Sequence, residues 1–135
     1  MKCTFTKIRT IELENNKIGA RVEGFIPMED VSIIPDEILG WIYSYTGVTA
    51  RVYADGIAII SWGETTCSHN DTYNKKQGEH LAESKAKTKL YRFIANYTSA
   101  MTNYFVNFVE TFNNDAMKYT HCLEHEIEHT KYLSE

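Results

Sequence analysis

The stretch from Lys75 to about Phe112 contains no proline and a single glycine, Gly78. Asn74, followed three residues later by Gln77, has the pattern of a capping box, so a helix is predicted to start near Lys75. At 1.5 Å per residue such a helix is ~55 Å long. A domain of 135 residues has a radius of gyration near ~14 Å, so the helix overhangs its own fold. Its distal half, YTSAMTNYFVNFVETF, is also the most aromatic part of the chain. The expected arrangement packs the overhang against another subunit in a symmetric dimer or a higher assembly. The alternative is an antiparallel pair with the last helix of the same chain. FNNDA at 112–116 reads as the break, and a last helix is predicted over roughly 115–133.

The first half reads as strands. FTKIRTIEL (5–13) alternates and is followed by the turn signal ENNK (14–17), and IGARVEGFI (18–26) completes a hairpin. MEDVSIIP is a connector. PDEILGWIYSYTG predicts a short helix with Ile38, Leu39, Ile42 and Tyr45 on one side and Gly47 at its C-cap. VTARVY and IAIISW flank Asp55-Gly56, a strong hairpin marker. The fold class expected is therefore α+β: a four-stranded antiparallel sheet, two hairpins around a short helix, followed by two long C-terminal helices. Residues 1–135 form one domain in this reading, with the sheet and short helix in 1–63. Residues 75–133 form a long helical hairpin for packing and oligomerisation.

Hydrophobic residues make up 43% and charged residues 24%, which points to an ordinary globular chain rather than a disordered one. Cys3, Cys67 and Cys122 are an odd number at wide spacing, which fits a reducing cytosol and no disulfide framework. MKCTFTKIRT lacks the apolar run of a secretory leader, and no segment reaches the length of a membrane span. The net charge of −4 disfavours nucleic acid as a partner. The charge is unevenly spread, however. Lys75, Lys76, Lys85, Lys87, Lys89 and Arg92 face only Glu79 and Glu83 over 75–92, whereas acids dominate from Glu110 onward. A basic patch beside an acidic tail is the result.

Four places could carry chemistry. HCLEHEIEH (121–129) contains both H-E-x-x-H and H-x-x-E-H, which are zinc-protease patterns. His121, His125 and His129 form one helical stripe with Leu123 and Ile127 on the opposite, core side. Only six residues follow His129, so the third ligand expected downstream is lacking, and the stripe is read as a polar helix face without metal. On the first long helix Lys85, Lys89, Arg92 and Asn96 form a narrow basic stripe. Lys75 and Lys76 sit in its first turn, against the helix dipole unless an anion is near, and a phosphate there would be favourable. The polar loop before the helix offers His69 and Asn70 for polar recognition and Tyr73 for stacking on a base. Arg21 and Arg51 lie in strands and suit bidentate capture of phosphate. The ligand-binding set is thus Arg21, Arg51, His69, Asn70, Tyr73, Lys85, Lys89, Arg92 and Asn96. P-loop, G-x-G-x-x-G, G-x-S-x-G and Cys/His zinc spacings are all lacking, so no catalytic residue, metal or cofactor is expected.

The run TTCSHNDTYNKKQGEHLAESKAKTKL resembles a recurring segment of small phage-encoded proteins, through Cys67, Asp71, Tyr73, Gly78, Leu81-Ala82 and Lys85. With the four-stranded half and the long helices, the chain resembles the phage anti-Thoeris nucleotide-sponge family of the first described type, over about residues 48–110. The resemblance implies non-catalytic sequestration of a cyclic ADP-ribose-type or cyclic nucleotide immune signal. It also implies assembly as a dimer or trimer of dimers, in the cytoplasm of an infected bacterial host. Two alternatives remain open. One is a protein-binding inhibitor of a defence system, anti-CRISPR-like, using the acidic tail as a DNA mimic. The other is a small nucleic-acid-binding accessory protein.

Overall fold

The structure, a computed structural model, describes residues 4–66 and 75–135. Strands β1 (Thr4–Leu13) and β2 (Lys17–Pro27) form the first hairpin. Its turn places Asn15 and Asn16 at φ 60° and 57°, a left-handed conformation that asparagine tolerates better than most residues. Two short helices follow, α1 (Met28–Val31) and α2 (Asp36–Ser44). Strands β3 (Thr49–Tyr53) and β4 (Gly56–Thr66) make the second hairpin. The sheet order is β1-β2-β4-β3, with all neighbours antiparallel. The expected four-stranded α+β sheet is therefore present. Gly47, expected as the C-cap of α2, is not its cap: Tyr45 is, and Gly47 turns the chain at φ 100° two residues later.

The two expected C-terminal helices are one. Helix α3 runs from Lys75 to Ser134, so the helical hairpin over 75–133 does not form. Asn113, Asn114 and Asp115 each cost a helix only a few tenths of a kcal/mol relative to better formers. No glycine or proline follows Gly78, and three mild residues among helix formers do not stop propagation.

The chain divides into two compact units, Met1–Thr98 and Ser99–Glu135. In the first, β2 alternates: Ile18, Ala20, Val22 and Ile26 are buried while Arg21, Glu23 and Phe25 are partly exposed. The buried face of the sheet, with Ile57 and Ile59 of β4, packs against Ala82, Ala86, Leu90, Phe93 and Tyr97 of α3. The small residues set the spacing. A Cβ on Gly63 would fall 2.4 Å from the Ala82 carbonyl oxygen and 2.7 Å from the Ala86 nitrogen, so strand and helix backbones touch there. Ser61 Oγ, buried in the same contact, donates to the Ala86 carbonyl at 2.7 Å, which satisfies a hydroxyl that burial would otherwise penalise. Trp41 of α2 stacks on Phe93 at 5.5 Å between ring centroids, and Phe93 on Tyr97 at 6.0 Å. These rings seal the other end of the core.

The second unit consists of the remainder of α3. Phe108 meets Phe112 edge-on at 4.7 Å and stacks with Tyr104 at 6.3 Å. Leu123 and Ile127, expected on a core side, are exposed, because no second helix folds back to cover them. Among the described residues no helix is long and apolar enough to cross a membrane.

Candidate functional site

The face of the sheet turned away from α3 gathers arginines. Register fixes which residues share it. Arg9 of β1 stands opposite Arg21 of β2, and Arg21 stands opposite Trp62 of β4. Arg51 and Tyr53 of β3 belong to the same face, since Arg51 pairs with Ala58 and Ala58 with Phe25. Directly paired residues point the same way from a sheet, and so do residues two apart along a strand.

Arg9, Arg21, Glu23 and Tyr53 line a cavity of about 180 Å³ on this face. Arg21 Nη2 lies 3.2 Å from Glu23 Oε1, an ion pair that orients the guanidinium without using all of it. Arg21 Nε is buried and has no hydrogen-bond partner among the described residues. A guanidinium carries five N–H donors in a fixed fork, and the contact with Glu23 is made through Nη2 alone. Arg9 and Arg51 have no ion-pair partner among the described residues. Two like charges directly opposite each other are unfavourable in a bare sheet, and a bound anion would relieve them. Trp62 borders the cluster. Its ring lies over Gly19, where a Cβ would come within 2.0 Å of the ring, and its Nε1 donates to Glu64 Oε1 at 2.9 Å.

The helical stripe is placed elsewhere and is partly engaged. Strand β3 pairs β4 only as far as Ile60, so among the described residues the edge of 61–66 has no strand neighbour on that side. Lys89 Nζ donates to the Trp62 carbonyl at 2.8 Å, and Lys85 Nζ to the Glu64 carbonyl at 2.9 Å. Lysines are a common cover for such an edge. Asn96 Nδ2 donates to Tyr45 Oη at 2.9 Å. Arg92 is exposed. The anion demanded by Lys75 at the start of α3 is the carboxylate of Glu12, on β1, with which it forms an ion pair. That hydrogen bond, with the charge of Glu12, raises the Lys75 pKa above its ordinary value.

Of the expected ligand set, Arg21 and Arg51 thus share the open face, whereas Lys85 and Lys89 cap the β4 edge. Arg92 and Asn96 follow on the helix, away from the arginine cavity. His69, Asn70 and Tyr73 lie outside the described residues. Arg9 and Tyr53 belong to the cavity but not to the expected set. The signal for Arg9 was its place in the hairpin, because the turn at Asn15-Asn16 puts it opposite Arg21. His121, His125 and His129 are exposed, and His129 Nδ1 lies 3.7 Å from Glu126 Oε2. No cluster able to hold a metal ion occurs among the described residues.

Fold and cavity define an antiparallel α+β protein with an arginine-lined sheet face. The chain matches no protein-family model, no curated protein and no solved structure.

Proposed function

We propose that the protein binds and sequesters a small phosphate-bearing nucleotide of the cyclic ADP-ribose type, without turning it over. The observation that carries the reading is the cross-strand pair Arg9–Arg21, lining one cavity with Tyr53. Paired guanidiniums suit a pyrophosphate, whose oxygens accept bidentate hydrogen bonds. Tyr53 and Trp62 offer rings for a base, each worth ~1–3 kcal/mol where stacking occurs. The resemblance to the sponge family supplies the ligand class. From it also follow a role in counteracting bacterial anti-phage defence, a cytoplasmic site of action and a homo-oligomeric state. Arg51 shares the face and adds charge, while Lys85, Lys89, Arg92 and Asn96 contribute field rather than first contacts.

Isothermal titration with cyclic ADP-ribose isomers tests the reading. Saturable binding is expected, weakened at least about tenfold by Arg21→Ala, the loss of one charge-assisted contact. Heat release of the bound ligand should return it unchanged. Recovery of an altered ligand would make the protein an enzyme. No binding by the wild type would overturn the proposal.

A further inference from the structure

The second unit carries a regular row of exposed apolar side chains: Phe105, Phe108, Phe112, Ala116, Tyr119, Leu123 and Ile127. Exposure runs from 42% at Phe105 to 64% at Tyr119 among the large ones. The separations are three, four, four, three, four and four residues. That is an eleven-residue repeat, and at 3.6 residues per turn the row stays within an arc of ~100°. Two helices with this repeat lie side by side with slight right-handed winding. The surface best matched to such a row is another helix of the same repeat.

Three features select a second copy, and its direction. The row is nearly symmetric about Ala116, its smallest member. The distribution of charge favours one sense. Residues 99–109 contain no charged side chain, whereas Glu124, Glu126 and Glu128 crowd the other half. A parallel pair sets the acids against themselves. An antiparallel pair about Ala116 sets them against residues 104–108, which carry no charge. The area suffices as well. Four half-exposed aromatic rings with Leu123 and Ile127 can remove roughly 600 Å² per copy, the lower end of the range for specific stable interfaces.

We infer that residues 105–127 of α3 pair with the same residues of a second copy, antiparallel, with the two Ala116 residues at the crossing. Phe105 then lies beside Ile127 of the second copy, and Phe108 beside Leu123. The pairing uses no residue of the arginine face, and its test reads mass and distance rather than ligand binding.

The test uses the full chain. Light scattering behind size exclusion should give a mass at least twice the 15.6 kDa of one chain. Phe108→Glu with Leu123→Glu should give the monomer, with the near-ultraviolet signal of Trp41 and Trp62 retained as proof that the first unit is folded. For direction, the native cysteines are replaced by serine and a spin label is attached through His129→Cys. Antiparallel pairing about Ala116 places the labels ~39 Å apart, whereas parallel pairing places them within ~20 Å. A monomeric wild type overturns the inference, as does a short label distance or a double variant that still associates.

Discussion

Lys89 donates to the main-chain carbonyl of Trp62 at 2.8 Å, one helical turn beyond Lys85, which does the same to Glu64 at 2.9 Å. One turn of four residues advances ~6.0 Å along a helix, and two residues advance ~6.8 Å along a strand. The two periods are close enough for flexible lysine side chains to absorb the difference. Charge on this helix face therefore completes a sheet edge. Replacing both lysines by methionine keeps their stems and removes the donors. The expected loss is ~0.5–1 kcal/mol per hydrogen bond in urea unfolding, with concentration-dependent light scattering as the bare edge of β4 seeks other strands. Unchanged stability and scattering would show that the edge needs no cover.

Gly63 and Gly40 should respond in opposite directions to the same change. A Cβ at Gly63 meets backbone atoms of Ala82 and Ala86, which cannot swing away, whereas a Cβ at Gly40 in α2 meets nothing within 4 Å. Gly63→Ala is expected to cost ~1–3 kcal/mol through overpacking. Gly40→Ala should stabilise by ~0.4–1 kcal/mol, since alanine loses less freedom in a helix. Thermal unfolding of the two variants side by side reads both signs.

Glu23 restrains Arg21 on the open face. Glu23→Gln removes the competing carboxylate 3.2 Å from the guanidinium and leaves the shape of the cavity intact. Anion affinity should rise several-fold in isothermal titration. A fall in affinity in the same titration would mean that Glu23 itself contacts the ligand.

The Lys75–Glu12 pair gives the start of α3 an alkaline limit. The Lys75 pKa is raised above 10.5 by Glu12. The pair therefore contributes its full stabilisation below pH 10.5 and loses it as pH climbs through the raised value. Helix content should fall slightly above that pH in the wild type. Lys75→Met should flatten this part of the profile, and circular dichroism between pH 9 and 12 compares the two.

Both hairpins were readable in the sequence, since alternation and the turn residues at 14–17 and 54–56 are local signals. So was the helical run from Lys75 onward. The join across residues 112–116 was not readable in the same way, because asparagine pairs serve equally well as turn formers and as tolerated helix residues. What decides between them is whether another surface waits to receive a returning helix. The arginine face was half visible. Arg21 and Arg51 stand out among apolar neighbours, but Arg9 matters only once the register of its hairpin is counted. The basic stripe was visible as charge, yet its engagement with carbonyl groups depends on how far β3 extends, which no property of the stripe itself reveals.

That extent is set at Gly47, which turns the chain at φ 100° just before β3 begins at Thr49. Had the preceding residues stayed extended, they would claim the carbonyls of Trp62 and Glu64 for themselves. A longer third strand and a lysine-bearing helix are thus rival ways to finish one border. A β-branched residue at Gly47 would favour the strand, and the lysines it displaced would be released as mobile cations beside the sheet.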